Sequence, residues 1–354
     1  MRVLMYKTEG EEKTASQAEM LENRLRKRYR HLKKWARRVG TDVFRVYDRD
    51  IPEIPLVLDL YGDAVSGALY ERPYEKDEAR EGRWLAAMGE AVSRGLGVPQ
   101  TRIFIKERSR QRGKAQYGKL GAGGFLRDVH EGDLLFRVNL SDYLDTGLFP
   151  DHRRIRAMVR AEAAGKRVLN LFCYTASFSV HAAKGGAREV DSVDMSNTYL
   201  DWGALNFALN RLEARKIHPR LLPAGGPYRL IRADALRFLA EAEKAGLAWD
   251  TIILDPPTFS NSKKMTGALD IRRDHQKLIS QCLGLLSPGG KLWFSTNARN
   301  FKLRNGDFPG AVIQNIHELS PAQFPPDEDF RGRRLPACYT LTLPDPKVPP
   351  GGQR

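Results

Sequence analysis

From Tyr143 onward the chain alternates short apolar runs with amphipathic stretches, and this rhythm constrains the fold more than any other feature. The runs fall at Arg167–Leu171, Glu189–Asp194, Tyr228–Arg232, Thr251–Leu254 and Lys291–Ser295, and helical spacing fills the intervals between them. Buried parallel strands joined by crossover helices give this signature, so the chain is expected to be an α/β protein with a doubly wound sheet. Two more strand-like stretches follow at about Val312–Glu318 and Cys338–Leu343. The Pro- and Gly-rich tail over residues 345–354 is expected to be disordered.

The residues ahead of Tyr143 read differently. From Ala15 to Val39, Leu21, Leu25, Tyr29, Leu32, Ala36 and Val39 recur at helical spacing while Arg24, Lys27, Arg28, Lys34 and other bases crowd the remaining positions. This predicts a basic amphipathic helix that ends at Gly40. A packed helix with a solvated charged face produces such a pattern too, but few acids interleave, which favours an RNA-contacting arm with Arg24, Lys27, Arg28 and Lys34 as contacts. Strand-like stretches at Val43–Tyr47, Leu56–Leu60 and Ala64–Tyr70, a helix from about Glu75 to Arg94, and a strand at Arg102–Lys106 then make a small α+β domain. The basic, Gly-rich run Arg108–Lys119, with Arg110, Arg112 and Lys114 as further RNA contacts, is expected to be a mobile loop. A hairpin over about Phe125–Val138 turns at Glu131-Gly132-Asp133. The expected organisation is a basic helical arm over 1–40, an α+β RNA-binding domain over 41–140, the doubly wound domain over 141–344 and the tail.

Charge narrows the partner. Against 43 Asp+Glu stand 58 Lys+Arg, a formal net charge of +15, so an acidic polymer is the natural partner. A non-catalytic ribosomal contact or an anionic lipid surface would satisfy the same balance. Cys173, Cys282 and Cys338 are odd in number and widely spaced, which suits neither a disulfide framework nor a zinc site and fits a reducing cytoplasm. His152, His181 and His275 have no metal-ligand spacing and read as packing or phosphate contacts, so no metal is expected. No apolar run reaches the roughly 18 residues of a membrane span, and the N-terminus lacks a secretory apolar segment.

In an open α/β sheet, ligands bind beyond the carboxyl ends of the strands. After the first strand comes Asn170-Leu171-Phe172-Cys173-Tyr174-Thr175-Ala176-Ser177, a turn into a helix whose free N–H groups can face a carboxylate, although it contains no glycine. Asp194 closes the next strand 24 residues after Asn170, a spacing suited to an acid that takes ribose hydroxyls. Asp234 follows the third strand, with Ala235 opening a helix, where an acid can accept from an adenine amino group. Either aspartate alone could be a helix cap; together they favour an adenosine-bearing cofactor. After the fourth strand, Asp255-Pro256-Pro257-Thr258-Phe259-Ser260-Asn261-Ser262-Lys263 sets two prolines as a stiff rim.

These motifs, with Lys33-Lys34-Trp35-Ala36-Arg37, Val193-Asp194-Met195-Ser196 and Tyr143-Leu144-Asp145-Thr146-Gly147-Leu148-Phe149-Pro150-Asp151-His152-Arg153, resemble the RlmK-type 23S ribosomal RNA guanine-N7 methyltransferases. The resemblance covers roughly the last four-fifths of the chain. It implies a class I, Rossmann-like methyltransferase domain using S-adenosylmethionine. The cofactor would be held by Asn170, Phe172, Tyr174, Thr175, Ala176, Ser177, Asp194, Met195, Asp234, Ala235 and Asp255, with Pro256 to Asn261 bordering the target base. Its partner would be 23S ribosomal RNA or an assembly intermediate. Ala176 departs from the pattern, standing where relatives usually carry Gly, and Glu213–Pro227 is longer than usual and expected to be a surface insertion.

Residue chemistry also bears on the reaction. Cytosine C5 methylation needs a cysteine thiolate after the fourth or fifth strand, and those places hold Pro256-Pro257-Thr258 and Thr296-Asn297. Exocyclic amine methylation fits in part, with Thr258 where an aromatic is usual. Guanine N7 presents an in-plane lone pair and no proton, so it needs alignment by Asp255, Pro256, Pro257 and Asn261 rather than a base. Ser260, Asn261 and Lys263 are candidate donors to the N7/O6 edge or a flanking phosphate. The alternatives are another base specificity and a non-catalytic assembly factor.

Overall fold

The computed structural model describes residues 9–70, 77–108, 124–219, 226–260, 268–304, 306–320, 322–325 and 327–343. The chain divides into two compact units, one drawn from Met1–Asp133 and Val138–Thr146 and the other from Leu134–Arg137 and Gly147–Arg354. The loop bases Arg110, Arg112 and Lys114, the motif residues Asn261, Ser262 and Lys263, and the tail lie outside the described residues.

The first unit opens with α1 (Glu9–Val39), longer than the apolar pattern alone predicts, followed by β1 (Val43–Asp48), β2 (Leu56–Tyr61), β3 (Ala64–Tyr70), α2 (Glu78–Leu96) and β4 (Ile103–Arg108). The four strands form one sheet in the order β1-β2-β3-β4, with β3 and β4 parallel across the α2 crossover. Ala18, Leu21, Leu25, Leu32, Trp35 and Ala36 of α1 enter this unit's core, whereas Val39 is exposed. Gly95 lets α2 approach closely, since a Cβ there would stand 3.1 Å from the Glu22 carbonyl oxygen and from Leu25 Cβ. Trp84 Nε1 donates to buried Gln17 Oε1 at 2.6 Å, so the apolar seam carries no unpaired indole. β5 (Leu126–Glu131) and β6 (Leu134–Asn139) follow, with left-handed Gly132 in the turn between them.

The remaining elements are α3 (Arg153–Ala161), β7 (Arg167–Leu171), α4 (Ser177–Lys184), β8 (Glu189–Asp194), α5 (Asn197–Leu209), β9 (Arg215–Ile217), β10 (Tyr228–Arg232), α6 (Ala235–Lys244), β11 (Trp249–Leu254), β12 (Phe259–Ser260), β13 (Leu269–Asp270), α7 (Ile271–Gly284), β14 (Leu286–Thr296), β15 (Val312–Asn315) and β16 (Ala337–Thr342). Among the described residues eight strands form one sheet, β15-β16-β14-β11-β7-β8-β10-β9. Its strands from β14 to β9 run parallel and β16 runs antiparallel to both neighbours. The central strands are apolar on both faces, as a sheet covered by helices requires, and Leu169, Leu171, Ile252, Leu254, Leu292 and Phe294 are almost fully buried. Burying each such side chain contributes roughly 1.5–3 kcal/mol. The stretch Glu213–Pro227, expected to be a surface insertion, instead supplies the edge strand β9, because Arg215–Ile217 pairs in register with Arg229–Ile231.

Candidate active site

The chain lays β7, β8 and β10 outward in one direction, then returns to set β11 on the other flank of β7. This reversal makes a topological switch point, and the crevice beyond the carboxyl ends of β7 and β11 is where such a sheet binds ligands. The turn after β7 is unusual: Phe172, Tyr174 and Ala176 have φ of 55°, 51° and 61°, three left-handed residues without one glycine. Each costs about 1–2 kcal/mol, so neighbours must hold the conformation. Cys173 N donates to Val193 O at 3.0 Å, Tyr174 N to Asp194 Oδ2 at 3.0 Å, and Thr175 Oγ1 to Gly147 O at 2.6 Å. Asn206 Nδ2 donates to Thr175 O at 2.8 Å while its Oδ1 accepts from Arg137 N at 2.9 Å. Two glycines make room for this brace: a Cβ on Gly203 would lie 3.1 Å from Ala176 Cβ, and a Cβ on Gly147 would overlap the Trp202 indole.

The predicted cofactor residues separate into those that face the crevice and those that support it. Asn170 is buried and its Nδ2 donates to Ser179 Oγ at 2.9 Å, so it ties β7 to α4. Thr175 and Ala176 are fully buried as well. Ser177 is the first residue of α4, which begins without a side-chain cap and so leaves N–H groups free for an anion. Tyr174 is half-buried, with ring centroids 5.6 Å from Phe149 and 4.6 Å from Tyr199, and Phe172 is half-buried beside the core of this unit. Asp194 accepts from Tyr174 N and from Ser196 N at 2.8 Å. Desolvation outweighs these N–H groups and that of Met195, so the Asp194 carboxyl is pushed up to about 6. Asp234 caps α6 by accepting Arg237 N at 3.0 Å on one oxygen, with Ala235 buried behind it.

After β11, Asp255 Oδ1 accepts from Ser295 Oγ at 2.6 Å, which fastens it to the end of β14. The same oxygen lies 3.6 Å from His152 Nε2, an atom with no hydrogen-bond partner among the described residues. His152 Nδ1 sits 3.3 Å from Asp151 Oδ1, so this ring, 3% exposed, is held between two carboxylates. Burial opposes its charge, but Asp255 and Asp151 prevail and raise the imidazole pKa above its ordinary value. Pro256 is buried and Pro257 half-buried. Beyond them Thr258 O accepts from Ile271 N at 3.1 Å, and β12 pairs with β13, so the rim is anchored to the start of α7. Phe259 is 44% exposed on that rim.

Cys173, Cys282 and Cys338 are buried, and desolvation drives all three thiols well above the ordinary range. Among the described residues no group of His, Cys, Asp and Glu could hold a metal, and no helix is long and apolar enough to cross a membrane. Of the predicted RNA contacts on α1, Lys27 and Lys34 are exposed, while Arg24 pairs with Asp50 at 2.6 Å and Arg28 donates to Val46 O at 3.2 Å. Sequence reasoning missed Trp202, Gly203 and Asn206, which brace the turn, and the contact of His152 with Asp255. Gly147 and Gly203 were the available signals, small residues beside bulky apolar ones.

A family model described as S-adenosylmethionine-dependent methyltransferase matches residues 99–304. The chain belongs to this methyltransferase family. It is 43% identical over 319 residues to ribosomal RNA large subunit methyltransferase K of Neisseria meningitidis serogroup B, covering 90% of this chain and 86% of the relative. It is 46% identical over 285 residues to ribosomal RNA large subunit methyltransferase K/L of Pseudomonas aeruginosa, spanning 80% of this chain but 37% of that longer protein. A crystal structure of a methyltransferase complexed with SAH matches with a TM-score of 0.67 at 25% identity, covering 92% of this chain and 82% of that chain. The resemblance read from the motifs, the α/β class I fold and S-adenosylmethionine as cofactor are thereby borne out. The turn and Asp194 of this methyltransferase suit that cofactor chemically: uncapped N–H groups for its carboxylate and a desolvated acid for its ribose hydroxyls.

Proposed function

We propose that this methyltransferase modifies N7 of a guanine in 23S ribosomal RNA. The names of its relatives support ribosomal RNA of the large subunit as substrate. The observation that carries the choice of reaction is the state of the cysteines: all three are buried and protonated, so no thiolate is available to add to a pyrimidine. Asp194 takes the ribose hydroxyls and Asp234 the adenine amino group. S-adenosylmethionine supplies an electrophilic methyl group on a sulfonium. Asp255, Pro256 and Pro257 shape the transfer corner, with Asn261 outside the described residues completing it. The in-plane N7 lone pair would accept that methyl group once these residues align the base with it. No proton moves, so alignment does the work of a base.

N7 faces the major groove, too deep and narrow in A-form RNA for side chains to enter, so the target base must leave its helix. Exposed Phe259 offers a flat apolar surface for it, and stacking of this kind contributes about 1–3 kcal/mol. Ser260 and Lys263 donate to the base edge or a flanking phosphate. The α+β unit grips RNA outside the target through Lys27 and Lys34 on α1 and through Arg110, Arg112 and Lys114, and the enzyme works in the cytoplasm beside assembling ribosomes. The test is incubation of unmethylated 23S ribosomal RNA with enzyme and S-adenosylmethionine, then nucleoside analysis of the digest. The expected product is 7-methylguanosine; 5-methylcytidine or an exocyclic N-methyl nucleoside would overturn the reading.

A further inference from the structure

A second recess lies at the carboxyl end of β14, outside the crevice at the switch point. Thr296 at the end of β14 pairs with Ala337 at the start of β16, so the segments Ala298–Lys302 and Arg334–Ala337 leave the sheet at one place. Between them is an open pocket of about 250 Å³. Asn300, Lys302, Asn315, His317 and Arg334 line it with polar groups, beside half-buried Phe301 and buried Tyr339. Among the described residues no carboxylate lines it. Glu318, the acid near its edge, accepts from Asn315 Nδ2 at 2.9 Å. Lys302 is exposed and has no partner among the described residues, and exposed Arg334 donates Nη2 to Ala298 O at 3.1 Å, which leaves its other N–H groups for a ligand.

We propose that this pocket receives a nucleotide of single-stranded RNA flanking the target, its phosphate on Lys302 and Arg334 and its base against Phe301. Cations beside an aromatic ring are the combination that single-stranded nucleic acid requires, and an open recess suits one unit of a polymer better than an enclosed metabolite. Its position fits the reaction. β14 neighbours β11 at one strand spacing, about 4.8 Å, and Ser295 at the end of β14 holds Asp255. A strand delivering its base to Asp255 therefore passes this recess.

The inference rests on the reading of RNA as substrate, and the experiment separates the two. Binding of a single-stranded 23S fragment carrying the target guanine is measured across a salt series for wild type, K302E and the double variant K302A/R334A, with calorimetry of S-adenosylmethionine alongside. Both variants should bind RNA about tenfold more weakly at moderate salt, with a log–log salt slope shallower by about 1, since a phosphate contact is lost. Cofactor affinity should stay at the wild-type value. K302E changes an exposed side chain without a partner, so it keeps the test independent of any loss of folding in the double variant. Wild-type RNA affinity and slope in K302E would overturn the assignment of the pocket while leaving the substrate reading intact. A wild-type protein that binds no RNA would overturn the substrate reading and the pocket with it.

Discussion

Two titrating residues at the crevice respond to pH in opposite senses. Desolvation pushes the Asp194 carboxyl up to about 6, so the folded protein favours its neutral form as pH falls through that value. Ribose hydroxyls donate more strongly to the anion than to the neutral acid. Cofactor affinity should therefore be highest well above about pH 6 and weaken as pH falls through that value, and D194N should bind more weakly and lose this dependence. Calorimetric titration at about pH 5 and about pH 8 measures both effects. His152 behaves as a cation whose folded pKa exceeds the unfolded value. Its contribution to stability is complete below about 6.5 and disappears as pH rises through the higher folded value. H152Q should accordingly cost most stability in mild acid and least in alkali, as read by denaturant unfolding across that range. An equal cost at all pH values would show that the imidazole carries no charge. Both acids that matter here, Asp194 and Asp255, were legible as residues just past strand ends. The proton on His152 was not, because it depends on a carboxylate 103 residues away in the chain.

Among the elements, β10 carries a charge that is buried in the sheet itself. Arg229 on it is 1% exposed and donates to Asp191 Oδ1 at 2.5 Å and Glu189 Oε2 at 2.6 Å, while Trp249 Nε1 donates to Asp191 Oδ2 at 2.8 Å. This network joins β8, β10 and β11. R229M fills the volume but leaves Asp191 buried without its cation, and should destabilise the fold by about 3–5 kcal/mol in urea unfolding. Strands of this sheet were legible because apolar runs are local information. Their limits were not always so. The sequence reading begins the fifth core strand at Lys291, yet β14 starts at Leu286, where an irregularity lets Leu286 pair with Trp249 before regular pairing resumes at Thr251 and Lys291. β9 was likewise hidden by its short length and its prolines and glycines downstream. Arg24 and Arg28 show the same limit on α1, since composition cannot tell a base that faces solvent from one that pairs with Asp50 or with the Val46 carbonyl.

Across the molecule, what the sequence expresses well is periodic or sits at fixed offsets from a strand end, and what it hides is built from contacts between distant segments. The turn after β7 is the clearest instance. Its residues are readable as a ligand loop, but its three left-handed L-residues are imposed by Gly147, Trp202, Gly203 and Asn206, none of them in the turn itself. This has a consequence in time. A glycine turn adopts its shape as soon as the adjoining strand and helix form, whereas this one has no local preference for its native shape and must wait until α5 docks against it. During refolding from urea, recovery of helical circular dichroism should precede recovery of cofactor binding. Weakening the brace with N206A should lengthen that interval, because contacts absent from the early stages set the slow one. The methyltransferase should thus become competent for its ligand only once α5 has docked behind Ala176, an order of events set by the close approach of Gly203 to that residue.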